Sequence, residues 1–328
     1  PEKEKEVFNL LNKLEKGDKK TVKRFKEIVD ICIKGQAKIL SELGIKYDYF
    51  DYESKYLWNK ETENILKSLE KTGKVFTDEN NRKILDLKDF NLPMKTSLLV
   101  LTRGDGTSLY GLRDIAYTID KIKRSYKNAV ILGEDQKLYF MQIKSALSLL
   151  NYKAPEIIHY SFVLLQEGKM STRSGNVVLL EDFMKEAVKK AAGEIKKRKK
   201  GSIKNAESIS YGAIKYSILR VSPEKNVIFD WDSALNFEGE SAPYVQYSHA
   251  RACSILKKAK ISKKINLSLL NSVAEINLIK KLGEFPDAVN NVINSLRPNA
   301  LCSYLFELAK TFTSFYHDCP VLKAEKKL

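Results

Sequence analysis

Apolar residues recur at helical spacing from Glu6 to Ile45, in EVFNLLNKLEKGDKKTVKRFKEIVDICIKGQAKILSELGI, with one interruption at Gly17-Asp18. That pattern predicts two amphipathic helices joined by a tight break. The following YDYFDYESKY is aromatic and acidic and reads as a strand and turn, and WNKETENILKSLEKTG as another amphipathic helix stopped at Gly73. KVFTDENNRKILDLKDF predicts two short strands around a polar turn.

The periodicity then changes. SLLVLTRGDG is an apolar run ending in a Gly-Asp-Gly turn, SLYGLRDIAYTIDKIKR is helical, and NAVILG reads as a short buried strand. QKLYFMQIKSALSLLNY predicts a helix and EIIHYSFVLL a further strand. Strand, helix, strand, helix argues for a parallel α/β sheet, of which only two or three strands are visible. From LLEDFMKEAV onward the pattern is almost wholly helical, with two last helices expected around 267 to 296 and 298 to 316.

A length of 328 residues with 43% hydrophobic composition supports two or three domains. Formal net charge is +16, a surplus that favours a polyanionic partner, nucleic acid before membrane, unless Lys is spread evenly over the whole surface. No apolar run is long enough to span a bilayer. Cys32, Cys253, Cys302 and Cys319 show no C-x-x-C spacing, which argues against a zinc site, and they read as buried small hydrophobes in a reducing cytoplasm. His159, His249 and His317 lie far apart in sequence without metal-ligand spacing, so no metal site is expected.

The candidate chemistry centres on QEGKMSTRSGNVV, where small, flexible and cationic residues lie between a strand and a helix. Such a segment suits closure over a polyanion, with Gly168 and Gly175 as hinges and Lys169, Ser171 and Arg173 facing phosphate. The bland reading is a solvated basic loop. Tyr110 and Asp114 fall on one helical face a turn apart. A carboxylate there can meet a planar guanidinium in parallel hydrogen bonds, or merely oppose a helix macrodipole. Gln136, in GEDQK after a strand end, either lines the crevice where such sheets bind ligands or is a surface amide. Asp120 and Glu134 read as solvated carboxylates. In SAPYVQYSHAR, the residues Tyr244, Gln246, Tyr247 and Arg251 combine aromatic faces, an amide and a cation, a mixture that suits RNA or, more plainly, a packed domain boundary. The basic stretch Lys196 to Lys200 reads as a solvated face able to touch a nucleic-acid backbone.

KMSTR at Lys169–Arg173 resembles the K-M-S-K-S loop of class I aminoacyl-tRNA synthetases. Together with DGTSLYGLRDIAY, ILGEDQKLYFMQIKSALSLL and FEGESAPYVQYSHARACSIL, in that order, the chain is similar to the arginyl-tRNA synthetase family. The resemblance implies an α/β fold: the second half of a class I synthetase Rossmann-like parallel sheet, followed by an all-α anticodon-binding domain. It implies a mainly helical insertion over 1–95, catalytic-domain second half over 96–180, helical linker over 181–240 and anticodon-binding domain over 241–328. It implies an arginine–tRNA ligase that uses ATP with Mg2+, with L-arginine and tRNA(Arg) as partners. Lys169, Ser171 and Arg173 would be catalytic, and Gly168, Met170 and Thr172 would belong to the ATP loop. Tyr110, Asp114 and Gln136 would bind arginine, and Tyr244, Gln246, Tyr247 and Arg251 would bind tRNA. Thr172 stands where the signature has its second Lys. The class I His-x-Gly-His signature is absent and the chain begins at Pro1 inside a helical pattern. The expectation is therefore a section that needs an N-terminal half to be active. The alternatives are a catalytically dead, synthetase-derived tRNA-binding protein, or a class I synthetase for another amino acid, against which Asp114 speaks.

Overall fold

The computed structural model describes residues 2–165, 179–198, 202–259 and 266–323. Two compact units are present, Pro1–His159 and Tyr160–Leu328.

The first unit opens with α1 (Glu2–Glu15) and α2 (Lys19–Glu42), separated at the expected break. Asp18 caps α2: its carboxylate accepts from the Thr21 backbone N–H at 2.9 Å and hydroxyl at 2.7 Å. The segment after α2 departs from expectation. Residues 45–52 join no ladder, because their acidic and aromatic side chains are used instead. The Tyr52 hydroxyl donates to Asp30 at 2.5 Å, Asp51 binds both terminal nitrogens of Arg124, and Glu53 binds Arg113. The chain then enters α3 (Lys55–Trp58) and α4 (Glu61–Glu70). Gly73, past the end of α4, has φ +72°, the left-handed stop that its position in sequence suggests.

Three strands follow: β1 (Val75–Thr77), β2 (Lys83–Asp86) and β3 (Leu98–Val100). All pairing is antiparallel, with Val75 opposite Leu85 and Leu85 opposite Leu99. The SLLVL strand thus completes a meander with the two preceding strands; its buried residue, Leu99, faces the same core as Leu85. The turn after β3 passes under the Asn80 carbonyl, which leaves no room for a Cβ at Gly104.

The first core is built where α5 (Tyr110–Arg124) and α6 (Lys137–Leu149) meet this sheet. Ile115, Ile143 and Leu147 are fully buried there together with Leu85 and Leu101. Between the helices runs β4 (Ala129–Gly133), which pairs with β5 (Glu156–Tyr160). The expected burial of NAVILG is not met: Ile131 is 65% exposed. Among the described residues the strand has a single ladder partner, so its apolar face is not covered there as in a wider sheet.

The second unit begins with β6 (Val163–Leu165), then α7 (Leu180–Arg198), α8 (Ala206–Leu219) and β7 (Val227–Phe229). β6 and β7 are parallel, with Val163 opposite Val227, and the two helices supply the long crossover that such pairing needs. Phe183, Phe229 and Trp231 stack in a cluster with ring centroids 4.8–4.9 Å apart. A short α9 (Trp231–Ala234) leads to α10 (Ala242–Lys258), capped by Ser241.

The last part is a bundle of α11 (Val273–Gly283), α12 (Phe285–Ser295) and α13 (Asn299–Asp318). The single helix expected over 267–296 is two helices. Pro286 sits in the first turn of α12, where its missing N–H costs nothing, whereas inside a continuous helix it would break the hydrogen-bond ladder. Ser272 and Glu275 form a capping box at the start of α11. Of the cysteines only Cys302 is buried; Cys32 is exposed and Cys253 and Cys319 are partly so, which corrects their reading as core residues. Among the described residues no helix is long and apolar enough to cross a membrane.

Candidate functional site

In the first unit, the residues of interest gather where α5 and α6 begin. Tyr110 is the first residue of α5 and is 57% exposed, and Asp114 follows one turn later. Asp114 therefore lies beyond the first turn, past the unpaired backbone N–H groups that a macrodipole role would serve. Its carboxylate is half-buried and accepts a hydrogen bond at Oδ2 from the Tyr139 hydroxyl at 2.6 Å. The Tyr139 ring packs against that of Tyr110 at 5.0 Å between centroids.

Electrostatics set Asp114 apart. Burial raises its pKa above the ordinary carboxylate value, and the Tyr139 hydrogen bond offsets this only in part. Among the described residues no Lys or Arg makes an ion pair with it. Arg113 is engaged by Glu53 and by the Ser108 carbonyl at 2.7 Å. Lys121 rests its ammonium over the Tyr117 ring at 4.1 Å, and burial lowers its pKa. Burial, then the bond to Asp114, holds the Tyr139 phenol well above its ordinary range, so it stays a neutral donor.

Asp120, on the same helix, corrects its reading as a solvated carboxylate. It accepts from the Tyr56 hydroxyl at 2.6 Å, from Lys55 at 3.1 Å and from Arg124 at 3.1 Å. These partners, the Tyr56 bond foremost, lower its pKa. Glu134 is exposed and has a partner of its own, so the solvated reading does not describe it fully.

Gln136 stands on the turn after β4, exposed, with its amide donating to Asp135 at 3.1 Å. It occupies the N-cap position of α6 without a capping side-chain hydrogen bond, one turn before Tyr139, which places both on one side of the helix start. The structure records no hydrogen bond from Gln136 to Tyr110 or Asp114. Tyr139 is the residue that sequence reasoning missed; its signal was its place three positions after Gln136 at the start of a helix.

In the second unit, SAPYVQYSHAR forms the first turns of α10 and lines a cavity of about 770 Å3. Its four candidates divide. The Tyr244 ring packs on Phe306 at 5.5 Å and its hydroxyl donates to Thr313 at 3.2 Å. Gln246 donates to the Ser208 carbonyl at 3.0 Å, tying α10 to α8, while its Oε1 is buried without a hydrogen-bond partner among the described residues. These two are held internally. Tyr247 is 41% exposed, and Arg251 lies with its guanidinium 4.4 Å from the Tyr247 ring and 4.6 Å from the Tyr316 ring. His249 and His317, far apart in sequence, line the same cavity. Of the basic stretch, Lys197 pairs with Glu194, and Arg198 pairs with Glu194 and Glu238 and stacks on Phe237 at 4.8 Å; Lys199 and Lys200 lie outside the described residues.

The KMSTR loop, with Gly168, Lys169, Met170, Ser171, Thr172 and Arg173, lies outside the described residues. Among those described, no group of three or more His, Cys, Asp and Glu side chains stands together as a metal cage.

Comparison with known proteins places this geometry. Residues 2–231 match the family described as tRNA synthetases class I (R), catalytic domain, and residues 245–328 match the DALR anticodon binding domain. The chain is 41% identical to an arginine–tRNA ligase of Methanocella arvoryzae over 99% of its own length and 58% of that protein. It is 40% identical to that of Methanocaldococcus jannaschii over 98% of its length and 57% of the relative. It thus spans somewhat over half the length of the curated relatives it matches. The fold is similar to that of Thermus thermophilus arginyl-tRNA synthetase, with a TM-score of 0.83 and 25% identity over 96% of this chain and 60% of that one. From residue 2 to residue 231 and on through the helical DALR region, then, the chain belongs to the class I tRNA synthetase (R) family.

Proposed function

We propose that this chain is the arginine-recognising and tRNA-binding section of an arginine–tRNA ligase. The whole enzyme activates L-arginine with ATP to arginyl-adenylate and passes the arginyl group to tRNA(Arg). One observation carries the reading of the amino-acid site: Asp114 is a half-buried carboxylate held by a neutral hydroxyl, with no ion-pair partner among the described residues. A buried negative charge without a counter-ion is costly. An incoming guanidinium removes that cost and can meet the carboxylate with two parallel N–H groups. Tyr110 supplies an aromatic wall beside it, and Gln136 an amide one turn from Tyr139. An uncharged substrate would leave the carboxylate unpaired, which disfavours a synthetase for a neutral amino acid.

The reaction divides by residue. Attack of the arginine carboxylate on the α-phosphorus of ATP expels pyrophosphate, and charge grows on the phosphoryl oxygens. Lys169, Ser171 and Arg173 would meet that charge when their loop closes, with Gly168, Met170 and Thr172 shaping the loop. Thr172 cannot supply the signature cation, so Arg173 or a basic group elsewhere in the enzyme would take that task. Magnesium would arrive with the ATP phosphates and would offset the charge that grows on them. The described residues offer it no cage of their own.

For tRNA, the pair Tyr247 and Arg251 presents an exposed ring and a cation already stacked, a platform suited to an unstacked base or a phosphate. Tyr244 and Gln246 hold that platform rather than form its surface. The net charge of +16 supports binding to a polyanion. The relatives' extra length is where we place the His-x-Gly-His signature, and the 328 residues are expected to need it for turnover. The test is arginine-dependent ATP–pyrophosphate exchange in the presence of tRNA, with the 328-residue chain alone and joined to that additional sequence. Exchange that requires the added sequence and is lost in Asp114→Ala supports the reading. Exchange that ignores Asp114 overturns it.

A further inference from the structure

We propose that Tyr139 is a positioning residue for arginine selection: its neutral hydroxyl fixes the Asp114 carboxylate without neutralising it. The proposal deepens, and rests on, the reading of Asp114 as the guanidinium acceptor. Helix α5 carries a contrasting case in Asp120, which is fixed by a tyrosine hydroxyl and two cations, Lys55 and Arg124. A carboxylate held that way is oriented but already neutralised, and a cationic ligand would have to displace an internal one. Asp114 is oriented by one donor that brings no charge, at 2.6 Å.

Two cations on α5, Lys121 and then Arg113, favour the ionised form of Asp114 through space, and neither is its ion-pair partner among the described residues. On α5, Tyr110 stacks on Tyr139, Arg113 is occupied by Glu53 and Ser108, and Lys121 is drawn to the Tyr117 ring. From the segment before α3, Glu53 adds a negative charge that disfavours ionisation of Asp114. From α6, Tyr139 is the one group that hydrogen-bonds the carboxylate among the described residues. A carboxylate has about four acceptor positions. Tyr139 takes one of them at Oδ2, and the remainder suffice for a guanidinium fork. The ring is itself fixed, packed against Tyr110 and against the core between α5 and α6, so the hydroxyl is preorganised before substrate arrives.

The consequence is discrimination between a cation and its neutral isostere. Citrulline replaces the guanidinium by a ureido group of nearly the same shape. An ionised, oriented Asp114 favours arginine over citrulline; loosening the carboxylate erodes that preference more than it erodes citrulline binding. The experiment uses the intact polypeptide with Tyr139→Phe, which keeps the ring and deletes the donor. Calorimetry measures arginine and citrulline affinities, and carboxyl 13C NMR follows the titration of Asp114. The expected result is an arginine-to-citrulline ratio lowered about tenfold, since hydrogen bonds to charged groups are worth that order. Asp114 should titrate at higher pH than in the native protein. In an Asp114→Asn background Tyr139→Phe should cause no further loss of arginine affinity. Replacement of Tyr139 by 3,5-difluorotyrosine keeps the packing with a more acidic donor and should move the Asp114 titration downward. An unchanged ratio or an unchanged titration, in a variant that binds arginine, overturns the role of Tyr139. Failure of the native protein to bind arginine would instead overturn the reading of Asp114 on which the proposal stands.

Discussion

Asp114 and Asp120 lie on one helix, less than two turns apart, and are held by opposite kinds of partner. Asp120 accepts from two cations and a tyrosine, whereas Asp114, among the described residues, accepts from a tyrosine alone. The first joins α3 to α5, and the second is the carboxylate we propose as the acceptor of a substrate guanidinium.

For Asp114 the sign of the pH effect follows from its raised pKa. Burial makes the ionised form less favourable in the folded protein than in the unfolded chain. The resulting stability cost is present above the folded pKa and vanishes as pH falls below the unfolded value, about 3.9. Asp114→Asn should therefore match or exceed the native melting temperature at pH 7, with the difference shrinking toward pH 4. The same substitution should raise the KM for arginine by at least tenfold in the whole enzyme. Thermal melts across pH and steady-state kinetics read both.

Asp120 runs the other way. Its pKa is lowered, first by the Tyr56 hydrogen bond. It contributes stability that is present above the unfolded pKa and is lost as pH falls through the depressed folded value. Asp120→Asn should lower stability at pH 7 by about 1–2 kcal/mol, with the deficit closing below pH 4. Urea unfolding at two pH values measures it, and an equal deficit at both would contradict the assignment.

Gly104 sits against the Asn80 carbonyl too closely for a Cβ. Gly104→Ala must move backbone on one side of that contact, at an expected cost of about 1–3 kcal/mol. Gly35 has open space at its Cβ position within α2, and Gly35→Ala should instead stabilise by about 0.5–1 kcal/mol. Paired denaturant melts test both substitutions.

Arg251 is stacked between Tyr247 and Tyr316. If its charge meets a tRNA phosphate, Arg251→Ala lowers affinity and reduces the slope of log K against log salt by about 1. Arg251→Lys should restore little, since the ammonium lacks the planar face that both rings hold. Filter binding across a salt series gives affinity and slope together.

Much of the first unit was legible because its signals are local. Gly17-Asp18 and Gly73 stop helices by backbone geometry that neighbours do not alter, and α5 and α6 follow their apolar period. The partner of β3 was not legible, since an apolar run does not say which strand it pairs with. Residues 47–53 look extended, but Asp51 and Glu53 find Arg124 and Arg113 on α5, and the segment never forms a ladder. Pro286 was visible, yet a long apolar period around it masked the break between α11 and α12. At the candidate site, Tyr110 and Asp114 could be paired by helical spacing alone. Tyr139 could not, because it reaches Asp114 across 25 residues of sequence from another helix. His249 and His317 meet at one cavity for the same reason.

The parallel match of Val163 with Val227 also bears on the order in which the second unit assembles. Closing so long a segment for one three-residue ladder is entropically unfavourable until α7 and α8 have shortened the distance. The β6–β7 amides should accordingly gain protection from hydrogen exchange late in refolding, after those of both crossover helices. Pulse-labelling that finds the ladder protected first would assign nucleation to the strands instead.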